Sequence, residues 1–325
     1  MYRRRFVLAA TFLFAVALPV SESAAQKEAT KVTRFARFHA GRTIAYGIVE
    51  GDQIRELDGD LFGKWQPTER TYPLSNVKLL IPSARPTQVL ALAGNYRSHL
   101  GGDNRVTTTT RITKDTVNTT TGATAQETTV TTETAEPGQV PTKFQIPQVF
   151  FKSPSCLIAT GEDIVIPPGT KEVHYEAEVV VVMGRRAKDV GVEEARECIF
   201  GLTCGNDVSA RDWQDNDVQW WRAKGSDTFG PTGPFIVSGL NYDDLRLRLR
   251  HNGKVVQDES TSQFIHDIPK VVSVISRHVT LNPGDLIFMG TPGQTGPIKP
   301  GDKVEVELEG VGTLVNGVAA AKSGP

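Results

Sequence analysis

The 325-residue chain reads as a mainly β protein with some α structure. Three observations predict that class. Short apolar or β-branched runs of strand length recur along it, at 33–38, 43–49, 53–57, 86–93, 179–183 and 198–204. Turn signals punctuate them: His39-Ala40-Gly41, Gly51-Asp52, the hairpin pair Asn252-Gly253, and Pro-Gly-Asp at 283–285 and 300–302. Helical spacing is clear at 268–278.

Residues 1–25 have the layout of a cleavable export signal. Arg3-Arg4-Arg5 is a basic start, 6–20 an apolar core, and Ser23-Ala24-Ala25 a small-residue cleavage site before Gln26. That core contains Pro19 and falls short of the ~20 residues that span a bilayer, so no stable membrane span is expected after cleavage. Arg3-Arg4-x-Phe6-Val7 also resembles a twin-arginine signal. The expected location is periplasmic or secreted. Cleavage removes three Arg and one Glu, taking the formal charge from −1 to about −3. No basic patch with interleaved aromatics is present, so nucleic acid is not an expected partner. Cys156, Cys198 and Cys204 show no C-x-x-C spacing and no even-numbered framework, which argues for buried apolar fillers rather than a disulfide scaffold.

Residues 31–80 read as a small N-terminal β-rich domain with no obvious chemistry. The 86–93 strand then delivers Gly94-Asn95-Tyr96-Arg97-Ser98-His99 onto a loop, a common way to present binding and catalytic groups, although a lone His is more often structural. Next comes an insertion at 101–147. Fifteen of the 28 residues from 107 to 134 are Thr, so it has too few apolar side chains for a core of its own. Pairing of 107–117 with 128–134 as a polar hairpin is one expectation, and a low-complexity loop is the other.

The chemistry concentrates in 174–227. Glu176 and Glu178 are two apart at the start of an apolar run, so on a strand their carboxylates share a side. A second apolar run ends in Gly205-Asn206-Asp207, which offers a third carboxylate at a strand end. Oxygen ligands without His or Cys suit a hard divalent cation, Mg²⁺ or Mn²⁺. Lys224 follows as a cation able to balance an anionic ligand. Separately, Glu-x-Glu also fits the solvated side of an edge strand, and Asp207-Val208-Ser209 an ordinary turn. Their combination with Arg211, Gln214, Trp220-Trp221 and Asp227 in one stretch points to a site. A glycine-rich loop at 287–296 lets backbone approach a ligand closely, or is simply a series of turns. Neither G-x-x-x-x-G-K-[ST] nor G-x-G-x-x-G occurs, so a nucleotide site is not supported.

GNYRSH (94–99), FFKSPS (150–155), YEAEVVVVMG (175–184), GNDVSARDWQ (205–214), RAKGSDTFGPTGP (222–234), LNPGDLIFMGTPGQTGP (281–297) and KPGDKVEVELEGVGTL (299–314) together resemble the fumarylacetoacetate hydrolase family. The resemblance covers about 31–100 and 145–317, leaving out the signal and the Thr-rich insertion. It implies a distorted β-roll of mixed sheets with a small N-terminal domain, a catalytic domain at 86–317, a short tail at 318–325 and a homodimer. It places metal ligands at Glu176, Glu178 and Asp207, an active-site lysine at Lys224 and a lid histidine at His99. Gln214 and Thr291 are the implied substrate contacts, and Tyr96 and Arg97, read from their place on the 94–99 loop, are expected to join them. The implied reaction is Mg²⁺- or Mn²⁺-dependent hydrolysis of a C–C bond in acylpyruvate-like 2-oxo acids through a metal-bound enolate. Decarboxylation, hydration or isomerisation on the same fold is the second expectation, and a non-catalytic exported 2-oxo-acid-binding protein the third. One departure stands out. Several family hydrolases carry a Glu three residues after the lid histidine, whereas this chain has Gly102 there, with Asp103 one position on as the available substitute.

Overall fold

The computed structural model describes residues 31–101, 106–117, 120, 124–136 and 138–322. The export signal expected at 1–25 lies outside them. Among the described residues, no helix is long and apolar enough to cross a membrane.

The strand Ala177–Met183 is buried along its whole length, which is why it reads as a continuous apolar run rather than an alternating one. It pairs antiparallel with Ile199–Asn206 on one side and with Leu286–Phe288 on the other. Hydrogen bonding continues through Gly230–Ser238 into the N-terminal meander Thr33–Ala40, Thr43–Glu50, Gln53–Gly59 and Trp65–Pro73. In the other direction Leu286–Phe288 pairs parallel with Val89–Ala93, and Gln148–Lys152 forms the edge. The strands read as a small domain are therefore hydrogen-bonded into the same sheet as the central one. Val179 to Val182 are each 0 % exposed. At roughly 1.5–3 kcal/mol per buried aliphatic side chain, they anchor a strand end that must also carry acidic groups.

Antiparallel pairing sets the start of one strand beside the end of the next. Ala177 lies opposite Asn206, and the backbone N–H of Asp207 donates to the carbonyl of Glu176 at 2.9 Å. Leu286–Phe288 runs opposite to the central strand, so Met289 and Gly290 emerge at the same end. Val89–Ala93 is parallel to Leu286–Phe288 and delivers Gly94 there too. One end of the sheet thus collects the first carboxylates, Asp207, the glycine-rich loop and the 94–99 turn.

Two further sheets close around that end. A five-stranded one has the order Ile164–Ile166, Gly312–Ala320, Lys303–Leu308, Arg246–His251, Lys254–Ser260. Its hairpin turns at Asn252-Gly253, with φ 51° and 81°, the left-handed pair that this dipeptide favours. A three-stranded sheet combines Ser209–Ala210, Val173–Tyr175 and Gly296–Ile298. The aspartates of both Pro-Gly-Asp turns tie backbone together: Asp285 accepts from Thr87, Gln88 and Asn282 N–H, and Asp302 from Lys299 N–H. The expected helix is Ile268–His278, capped by Asp267 and burying Ile268, Val271, Val272 and Ile275. The Thr-rich segment forms a separate two-stranded sheet, Val106–Val117 against Thr124–Ala135, a longer pairing than the 107–117/128–134 hairpin expected.

Candidate active site

Glu176, Glu178 and Asp207 converge, with one carboxylate oxygen from each lying within 4.8 Å of the others, all three residues buried. Their surroundings differ. Glu176 accepts from Arg211 Nη2 at 2.6 Å and from Lys224 Nζ at 2.7 Å. Asp207 accepts from Lys224 Nζ at 2.7 Å and from Lys152 Nζ at 2.5 Å. Lys152 also donates to the Lys224 and Phe229 carbonyls, so a buried ammonium has three acceptors. Glu178 has no cation of its own among the described residues. Its Oε2 accepts from Gly290 N–H at 2.6 Å, and its Oε1 is buried without a hydrogen-bond partner.

The electrostatics follow that division. Burial pushes the Glu176 carboxyl up, but Lys224 and Arg211 outweigh it and hold it at about 2. Glu178 is raised well above the usual carboxylate range, by burial first and then by the charges of Asp207 and Glu176. A fully buried acid with an orphaned oxygen, beside two carboxylates, is the donor arrangement that a hard divalent cation satisfies. The residues present therefore fit the metal that the sequence implied. Lys224 Nζ bridges Glu176 and Asp207, so it competes for two of the three ligands when no anion is bound.

Gly290 is required where it stands. Its φ is +89°, and a Cβ there would lie 2.9 Å from the Asn95 Cβ, which allows the backbone N–H to reach Glu178. Asn95 braces the same loop, donating to the Met289 carbonyl at 2.8 Å and accepting from His266 N–H at 2.9 Å.

Above the carboxylates opens a small cavity, lined by Glu176, Lys224, Arg211, Gln214, Thr291 and His99, with Phe150 and Trp220 as apolar walls. Arg211 reaches Gln214 Oε1 and Thr295 Oγ1, both at 2.7 Å. Thr291 Oγ1 accepts from Gln257 Nε2 at 2.9 Å. The ring of His99 is held through Nδ1 on the Gly293 carbonyl at 2.8 Å. A carbonyl only accepts, so Nδ1 carries the hydrogen, and in the neutral form of the ring Nε2 is the nitrogen with the lone pair.

Of the residues read as site residues, Glu176, Lys224, Gln214, Thr291 and His99 come together around the cavity, with Glu178 and Asp207 clustered against Glu176. Tyr96 and Arg97 do not line it. The Tyr96 ring is fully buried, 4.7 Å from Phe264, with no partner on its hydroxyl, and Arg97 points to the Gly138 carbonyl at 3.3 Å. Asp103 and Gly102 lie outside the described residues. Sequence reasoning placed Arg211 in the site stretch without assigning its partner, and gave no role to Lys152 or Gln257. The signal available for the first two was electrostatic: three buried carboxylates demand cations, and Lys152 ends an apolar strand.

Comparison with known proteins accords with this geometry. The model of the fumarylacetoacetate hydrolase C-terminal domain matches residues 111–319, and a Rv2993c-like N-terminal model matches residues 33–82. The chain belongs to the fumarylacetoacetate hydrolase family. The first match begins inside the Thr-rich segment, which the resemblance had left out. Protein Rv2993c of Mycobacterium tuberculosis is 37% identical over 295 residues, covering 88% of this chain and 97% of that one. The mitochondrial oxaloacetate tautomerase Fahd2a of Rattus norvegicus is 31% identical, covering 76% of this chain and 71% of the relative. The crystal structure of a 5-carboxymethyl-2-hydroxymuconate delta-isomerase from Mycobacterium smegmatis is similar with a TM-score of 0.73 and 36% identity, over 89% of this chain and 100% of that one. The family has isomerase, tautomerase and hydrolase members.

Proposed function

We propose that this protein is a divalent-cation-dependent isomerase of small 2-oxo acids, relocating a proton between carbon and the enol system. The observation that carries this reading is the hydrogen bond from His99 Nδ1 to the Gly293 carbonyl. A neutral carbonyl fixes the ring but stabilises an imidazolium less than a carboxylate does. That suits a base which borrows a proton already acidified beside a 2-oxo group, and suits less well one that must activate water for C–C hydrolysis, the reaction placed first from the sequence. The rat and Mycobacterium smegmatis relatives, both named for isomerisations, support the same reading.

Glu176, Glu178 and Asp207 would hold the ion, which when bound supplies Lewis-acid polarisation of the 2-oxo group. Arg211 and Lys224 attract the substrate carboxylate to the mouth of the cavity. Gln214 and Thr291 offer hydrogen bonds that orient it. Phe150 and Trp220, ring centroids 5.1 Å apart, keep water from the apolar wall. His99 Nε2 takes the proton and returns it one position along the conjugated system, a role that typically contributes ~10²–10⁴-fold.

Chelator-stripped protein reloaded with Mg²⁺ or Mn²⁺ tests this on the enol of oxaloacetate, with ultraviolet loss of the enol followed above the metal-only background and products weighed by mass spectrometry. Isomerisation leaves the mass unchanged. Two product acids would return the assignment to hydrolysis, loss of CO₂ to decarboxylation, and binding without turnover to a non-catalytic role. An enzyme rate indifferent to His99→Gln would also overturn the proposal.

A further inference from the structure

We propose that Ser98 and Glu259 are positioning residues that set the tautomer and place of His99 through Gly293. The inference rests on His99 as the proton carrier proposed above. Ser98 Oγ donates to Glu259 Oε2 at 2.5 Å and accepts from Gly293 N–H at 2.9 Å. The Gly293 carbonyl in turn accepts from His99 Nδ1 at 2.8 Å.

The direction of each bond follows from the groups involved. An ionised carboxylate only accepts, so the Ser98 hydrogen goes to Glu259 and a hydroxyl lone pair is left for Gly293 N–H. Both backbone polar groups of Gly293 are thereby clamped by consecutive residues of one turn, in which Leu100 N–H returns to the Tyr96 and Arg97 carbonyls. Glu259 is well placed to anchor this clamp. It lies two residues after Gln257 on the strand Lys254–Ser260, and residues two apart share a face. Gln257 holds the adjoining Thr291 Oγ1 and Pro292 carbonyl, at 2.9 and 2.5 Å. One strand face therefore fixes the 291–293 loop at two points, and that loop fixes the histidine. Among the described residues no Lys or Arg forms an ion pair with Glu259, on which Arg246 acts only through its charge, and its side-chain hydrogen bond is with the Ser98 hydroxyl. Through Ser98 and Gly293, a carboxylate from a different sheet thus orients the histidine of the 94–99 turn.

The test is ¹⁵N NMR of the histidine-labelled, chelator-stripped full chain, with the His99 signals assigned by their loss in His99→Gln. The wild type is expected to show a protonated Nδ1 and an unprotonated Nε2. Ser98→Ala and Glu259→Ala are expected to give averaged tautomers and kcat lowered roughly tenfold or more with KM within about twofold, as for a base that has lost its orientation. Glu259→Gln keeps an oxygen acceptor for Ser98, and Ser98→Thr keeps the hydroxyl, so both should retain the wild-type signature. An unchanged His99 signature in both Ala variants would overturn the inference. Averaged tautomers with unchanged turnover would instead leave the clamp standing and remove His99 as the base, so the two failures are separable.

Discussion

Replacement of Glu178 by Gln should reverse its effect on stability according to whether a divalent cation is present. Without the ion, Glu178 is a fully buried acid with one unpartnered oxygen beside two other carboxylates. An unsatisfied buried polar atom costs about 1–3 kcal/mol, more when charged. Glu178→Gln keeps the shape and an acceptor for Gly290 N–H while removing the like-charge repulsion, so in chelator it should melt a few degrees above the wild type. With the ion at a hundred times its Kd, the wild type gains about 2.7 kcal/mol. The variant has lost one of three anionic ligands, gains less, and should melt below the wild type.

The pH dependence in chelator has a definite sign. The Glu178 carboxyl is raised above its unfolded value of 4.5, so its contribution is fully present below that value and is lost as the pH rises through the folded one. Gln has no such loss, and the gap between the two proteins should widen with pH. Calorimetric or fluorescence melts at several pH values, with EDTA or Mn²⁺, measure both effects. A variant less stable than the wild type in chelator as well would show that Glu178 is satisfied without a cation, and the metal assignment would fail.

Three more outcomes follow from named contacts. Lys224→Met removes an ammonium held by both Glu176 and Asp207, so calorimetric titration without substrate should find divalent-cation affinity raised about tenfold or more, while 2-oxo-acid affinity falls by a similar factor. Burial would raise the Glu56 carboxyl, but hydrogen bonds from Arg70 and Tyr72 outweigh it and hold it below its ordinary 4.5. That contribution is present above 4.5 and lost as pH falls through the lowered value, so Arg70→Ala should melt below the wild type at pH 7, with the deficit closing in acid. The homodimer expected from the family resemblance is proposed to form along the sheet edge, where Val149 and Phe151 share a face of Gln148–Lys152 and are 37 % and 61 % exposed. Light scattering should then find Phe151→Glu monomeric and the wild type dimeric, and a dimeric variant would move the interface elsewhere.

How much of this was legible beforehand depends on the range of the physics involved. The carboxylates at 176, 178 and 207 were readable because period-two alternation and strand-end position are local properties. The Asn252-Gly253 hairpin and the 268–278 helix were readable for the same reason. Lys152 and Arg211 acquire their roles only through tertiary contact, 55 positions from Asp207 and 35 from Glu176. Tyr96 shows the converse. Its place after an apolar strand suggested a ligand contact, yet the chain turns its ring into the core against Phe264. The departure at Gly102 left Asp103 as the available substitute, but that Ser98 would meet Glu259 across 161 positions is a fact of sheet packing that no spacing rule contains.

Glu176, Glu178 and Asp207 are proposed to hold one divalent ion. Titration of chelator-stripped protein with Mn²⁺, with the free ion counted by electron paramagnetic resonance, addresses it most directly. One ion bound per chain, lost when Glu176, Glu178 and Asp207 are together replaced by Ala in a variant that still shows its β-sheet circular dichroism, is the result expected. Undiminished stoichiometric binding in that variant, or none in the wild type, would contradict it.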